Sequence, residues 1–191
     1  MIYKKRFSEY FSRKPIFTSS EAERYLSRYG AVGGYSKLLL HNMAERNELV
    51  RLKRGFYTFS KNEAVSGYAF RPFYYGMEYA LTIRKIWTQQ SIPIVVTTSK
   101  ANPGIRLIME QRVKVRRINK KYFFGFEYVN YSNLFVPVSR PEKIILDFLY
   151  YGIGLDPETL RSLLAQSDTV LLRNYASMFG KSFLDKVKAL L

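Results

Sequence analysis

Two short stretches carry side chains whose types and spacing suit the recognition of a polyanion. In the segment after Gly33-Gly34, Leu39, Leu40 and Met43 recur at helical spacing, and the side opposite Leu40 and Met43 holds Tyr35, Lys37, His41 and Asn42. Lysine and histidine can donate to the acceptor atoms of guanine, and asparagine can pair with adenine, so this face has the chemistry of a base reader. The second stretch is LVRLKRGFYTFS at 49–60. It reads as a β-hairpin whose turn is Arg54-Gly55, with the glycine supplying a positive φ. Arg51, Lys53 and Arg54 give it three cations and no anion, a pattern that suits phosphate contact.

Other chemistries find little support. His41 is the only histidine and cysteine is absent, which removes thiolate and histidine-rich metal sites and any disulfide framework. Neither GxGxxG nor GxxxxGK[ST] occurs, so no nucleotide loop is visible. The acidic-basic cluster PEKIILD sets Glu142 and Asp147 five positions apart, about 140° around a helix, where two carboxylates converge poorly. Lys143 and Asp147 are spaced to pair on a helix surface. No catalytic residue, metal ligand or cofactor is expected, and the chain is read as a non-enzyme.

The elements that must position these residues follow from the local pattern. Residues 1–62 read as helix, helix, helix, hairpin. Tyr3, Phe7, Tyr10 and Phe11 mark the first helix, Ile16-Phe17 a short strand, and Thr18, Ser19 or Ser20 the cap of the second helix. Asn47 suits a left-handed end to the third. This order predicts a winged helix-turn-helix, with the third helix in the major groove and the hairpin as the wing. Residues 63–191 form the second expected domain. The pattern predicts a helix from Phe73 to Trp87, strands at 92–99, 112–118, 123–129 and 133–139, and four helices from Pro141 onward. The fold class is therefore α+β, a winged helix followed by a mixed domain with a small sheet and C-terminal helices.

Net charge supports a polyanionic partner. Thirty-one Lys and Arg against fifteen Asp and Glu give 31 − 15 = +16. A second basic surface is predicted at Arg112, Lys114, Arg116, Lys120 and Lys121, with Arg112, Lys114 and Arg116 on one face of a strand. Both a binding surface and a solvated edge that discourages aggregation fit this cluster. Apolar runs are too short to span a bilayer, and the N-terminus lacks the pattern of a signal peptide, so a cytoplasmic protein is expected.

The ordered series RLKRGFY, PFYYGMEYAL, IPIVVTTS, FFG and PEKIILDFLYY resembles the AbiEi-type antitoxin family over nearly the whole chain. Members of that family are transcriptional regulators of type IV toxin–antitoxin systems in abortive infection, a form of phage defence. The resemblance implies an autorepressor that binds its own operator through the N-terminal winged helix. It also implies a C-terminal domain that counters a nucleotidyltransferase-like toxin without a stable complex. By position, Tyr35, Lys37, His41, Asn42, Arg51, Lys53 and Arg54 take the DNA-binding role, and no catalytic residue is carried over. Two other classes stay open at this point. One is a nuclease whose winged helix positions DNA. The other is an RNA-binding module using Tyr122, Phe123, Phe124 and Phe126 to stack bases. Operator, toxin and oligomeric state are outside what the sequence encodes legibly.

Overall fold

The computed structural model of the chain describes residues 2–31 and 33–191 and has a mixed α+β architecture. It divides into two compact units, Met1–Ala69 with Leu107–Gln111, and Phe70–Arg106 with Arg112–Leu191. The boundary expected after residue 62 thus lies after Ala69, within a 3₁₀ segment (Glu63–Phe70). Among the described residues no helix is long and apolar enough to cross a membrane.

The first unit begins with α1 (Ile2–Phe11), β1 (Phe17–Thr18) and α2 (Ser19–Ser27). Of the three hydroxyl residues expected to cap α2, Thr18 does so. The Glu21 amide donates to Thr18 Oγ1 at 3.1 Å while the Thr18 amide donates to the Glu21 carboxylate at 2.7 Å, a reciprocal box that satisfies two backbone donors. Next come α3 (Tyr35–Glu45), β2 (Val50–Lys53) and β3 (Phe56–Thr58). The three strands form one antiparallel sheet in the order β1-β3-β2, with Phe17 opposite Tyr57 and Arg51 opposite that same Tyr57 from the other side. Phe7, Phe11, Phe17, Leu26, Leu40 and Met43 are buried together, so the apolar faces of all three helices close on one core.

A six-stranded sheet lies mostly within the second unit. Its strands are β4 (Phe73–Tyr75), β5 (Ile94–Thr97), β6 (Gly104–Ile108), β7 (Gln111–Arg117), β8 (Phe126–Tyr131) and β9 (Leu134–Ser139), in the order β6-β7-β5-β4-β9-β8. The helix expected from Phe73 to Trp87 is instead the central strand β4 followed by the short helix α4 (Met77–Ile83). Two causes are evident. Phe73, Tyr74 and Tyr75 are all buried between β5 and β9, where an extended chain buries both faces. Gly76 is fully extended and starts α4 without a side-chain cap. A Cβ there would lie 3.0 Å from the Val96 side chain. Strand β6 falls outside the expected strands; none of its residues is buried, and its apolar Ile105 and Leu107 are exposed. The strand expected at 123–129 begins only at Phe126, because the Phe123 ring packs against Tyr74 and Phe126 and Gly125 takes φ 73°.

The C-terminal helices are α5 (Pro141–Tyr150), α6 (Pro157–Ala165), α7 (Thr169–Ser177) and α8 (Lys181–Lys188). Asp156 and Asp168 accept the free amides at the starts of α6 and α7, as their positions before Pro157 and the apolar run predict. Helix α5 is the hub of this layer, packing against α4, α6 and α7 and buried from Glu142 to Phe148.

Candidate nucleic-acid interface

Helix α3 presents two unlike faces. Ser36, Leu39, Leu40 and Met43 point into the core, and Lys37, Leu38, His41, Asn42, Glu45 and Arg46 are exposed. Gly34, in the left-handed region at φ 68°, turns the chain into the helix. At the other end Asn47 takes φ 54°, and the Glu48 amide returns to the Met43 carbonyl at 2.9 Å, so the helix stops where the pattern predicts. Lys4 of α1 pairs with Glu48 at 2.6 Å and holds that turn against α1.

The seven candidate contacts are not equally presented. Lys37, His41 and Asn42 lie on the exposed face of α3. Tyr35 is half-buried against the core and meets Tyr3 edge-to-face at 5.9 Å, so it buttresses the helix more than it extends outward. In the hairpin, Arg51 is exposed in mid-strand rather than at the tip, while Arg54 sits in the turn beside Gly55 at φ 78°. The Ser19 amide donates to the Gly55 carbonyl at 3.0 Å, which fixes the turn against the start of α2. Lys53 is engaged: its Nζ donates to the Ala69 carbonyl at 2.5 Å and lies 4.3 Å from the Phe56 ring centre. Burial holds its ammonium below the usual lysine range. Among the described residues, Arg51, Arg54 and Lys37 have no ion-pair partner.

Between α3 and β2 runs a groove of about 910 Å³, lined by Lys37, His41 and Glu45 from the helix and by Arg51, Tyr57 and Lys61. Met109, Glu110 and Gln111, part of the same unit, complete it. Glu45, Leu38 and Lys61 escaped a charge-led reading of the sequence. The signal for the first two was present, since Leu38 and Glu45 fall on the outward helical phase of Lys37, His41 and Asn42.

In the second basic set Arg112, Lys114 and Arg116 alternate with buried Val113 and Val115, so they share one strand face, with unequal exposure. Arg112, Lys120 and Lys121 are exposed and Lys114 is half-buried. Arg116 departs from them: its guanidinium lies over the Tyr151 ring at 4.7 Å, and its Nε is buried without a hydrogen-bond partner among the described residues.

The PEKIILD cluster is also placed differently from its surface expectation. Lys143 and Asp147 pair as spaced, but both side chains are fully buried. Tyr74 donates to Asp147 Oδ2 at 3.0 Å, and the rings of Tyr74, Phe124 and Phe179 surround the Lys143 ammonium at 5.4–5.5 Å. Burial pushes the Asp147 carboxyl up, against the opposing pull of Lys143 and Tyr74. Burial and the neighbouring Asp147 charge push the Tyr74 hydroxyl well above its usual range, which keeps it a donor. Glu142 does not join the pair; it accepts from the Asp168 amide at 2.7 Å and so ties α5 to the start of α7. Among the described residues no group of three or more His, Asp or Glu side chains is placed to hold a metal ion. No family model matches the chain, and no curated protein matches it at a significant level.

Proposed function

We propose that the chain is a duplex-DNA-binding transcriptional regulator in which α3 is the reading helix and the β2–β3 hairpin is the wing of a winged helix-turn-helix. The observation that carries this reading is the exposed side of α3: Lys37 and His41 line one groove with Arg51 of the hairpin, Asn42 and Arg54 are exposed outside it, and Arg51 and Arg54 have no ion-pair partner among the described residues. Side chains able to donate to guanine and adenine share one face, and cations suited to phosphate flank it. The net charge of +16 supplies the long-range attraction such binding uses.

Within that reading, the resemblance to AbiEi-type antitoxins supports autorepression of a toxin–antitoxin operon. The second unit would then counter a nucleotidyltransferase-like toxin, functionally and without a stable complex, in the bacterial cytoplasm. The RNA-binding alternative loses its motivating feature: Phe123 and Phe126 pack on Tyr74, Tyr122 stacks on Phe179, and Phe124 packs on Tyr175. A salt titration of duplex binding tests the proposal. With about six phosphate contacts, affinity should fall on the order of a thousandfold between about 50 and 200 mM salt. A flat titration overturns it.

A further inference from the structure

Leu38 is 57% exposed on α3, although Leu39 and Leu40 beside it already fill the core. A single exposed leucine on an ordinary surface needs no explanation. This one sits one position from Lys37 and four before Asn42, in the middle of the outward face, over a hollow of about 300 Å³ that also takes in Lys4, Tyr35, Asn42 and Arg46. Residues four apart on a helix are direct neighbours, about 5–6 Å between their Cβ atoms. Base pairs stack about 3.4 Å apart, so the two side chains would reach base pairs that are adjacent or one step removed. Asparagine matches the paired donor and acceptor of adenine in the major groove, and an aliphatic side chain matches only the thymine methyl. Resting on the reading of α3 as the DNA-facing helix, we infer that Leu38 is a specificity-determining residue. It reads a thymine methyl next to, or one step from, an adenine read by Asn42.

The full-length chain is first used to select its tightest duplexes from a random pool. Each thymine of the selected site is then replaced singly by deoxyuridine, which removes only the methyl group. One replacement should weaken wild-type binding about fourfold, the worth of one buried methyl-sized group. Leu38→Ala should bind the thymine and deoxyuridine duplexes equally, whereas Asn42→Ala should keep the thymine preference and lose discrimination at the neighbouring adenine. If no single deoxyuridine weakens binding, or if Leu38→Ala keeps the full penalty, the inference is overturned while DNA binding stands. If no duplex is enriched from the pool, the DNA-binding reading itself fails, and the inference with it. Leu38→Gln is a second variant for the same measurement and should likewise abolish the thymine preference.

Discussion

Some cations of the two units stand at opposite extremes of solvation. In the first, Lys37, Arg51 and Arg54 stand in solvent with no ion-pair partner among the described residues, on or beside one helix face. In the second, Lys143 is wholly enclosed, paired with Asp147 and ringed by three aromatic side chains. A solvated lysine or arginine costs the fold little and keeps its charge available to a ligand. A buried one must be neutralised where it stands, and the groups that neutralise it become part of the core. Lys53 lies between these extremes, outward on β2 yet bound to the Ala69 carbonyl. Charge count alone treats all of these residues alike, and burial separates them.

The sharpest way to break this comparison is Lys143→Ala. It leaves Asp147 buried with only the Tyr74 hydroxyl and should cost about 3–5 kcal/mol, read as a lower urea midpoint. Replacing both partners by apolar side chains, Lys143→Met with Asp147→Leu, should recover much of that loss. A Lys143→Ala variant as stable as wild type would mean that the pair is not the keystone its burial suggests.

Under the proposed function, changes on the exposed face of α3 should leave stability alone and act on selectivity. Lys37→Ala and Asn42→Ala are each expected to lose about 1–3 kcal/mol of discrimination between the best duplex and an unrelated one. Competition binding on both duplexes measures it. Equal losses on both would reassign these residues to phosphate contact.

A smaller effect is expected at the start of α2. Thr18→Ala removes the cap and should destabilise by about 1 kcal/mol. Burial pushes the Glu21 carboxyl up, but the Thr18 amide and hydroxyl and Lys14 outweigh it and hold the group below its usual range. A depressed carboxyl contributes stability above its unfolded value, about pH 4.3, and that contribution is lost as pH falls through the folded value. The Thr18→Ala penalty should therefore shrink on acidification, which urea midpoints on either side of about pH 4 would resolve.

A small change in stability is also expected at the β2–β3 hairpin. Arg51→Ala with Arg54→Ala should alter it by no more than about 0.5 kcal/mol. The pair should nevertheless weaken binding to every duplex and lower the salt slope by roughly one per lost contact. Adding Lys53→Ala should cost a further ~1 kcal/mol of stability through the Ala69 bond and change the slope less than either arginine does. If Lys53 shifts the slope as much as Arg51, its engagement with Ala69 is released on binding.

Much of the first unit was legible in the chain because its determinants are local. A hydroxyl cap among Thr18, Ser19 and Ser20, the left-handed Asn47, the turn glycine at 55 and the spacing of Leu39, Leu40 and Met43 each act within a few residues. They set the helix ends, the hairpin and the outward phase of Lys37, His41 and Asn42. Most strands and all four C-terminal helices of the second unit were legible for the same reason. Tertiary structure decided the rest. Phe73 to Tyr75 satisfy a helical pattern as well as a strand, and only the flanking strands β5 and β9 make them extended. The i,i+4 spacing of Lys143 and Asp147 states that they can meet, not where. Tyr74 and Phe179 come from distant segments to enclose them, just as the Tyr151 ring lies against Arg116 on the basic strand face. Pairing geometry is written in a few consecutive residues, whereas burial depends on which remote side chains close over a site, so the solvation of each cation was decided only when the chain folded.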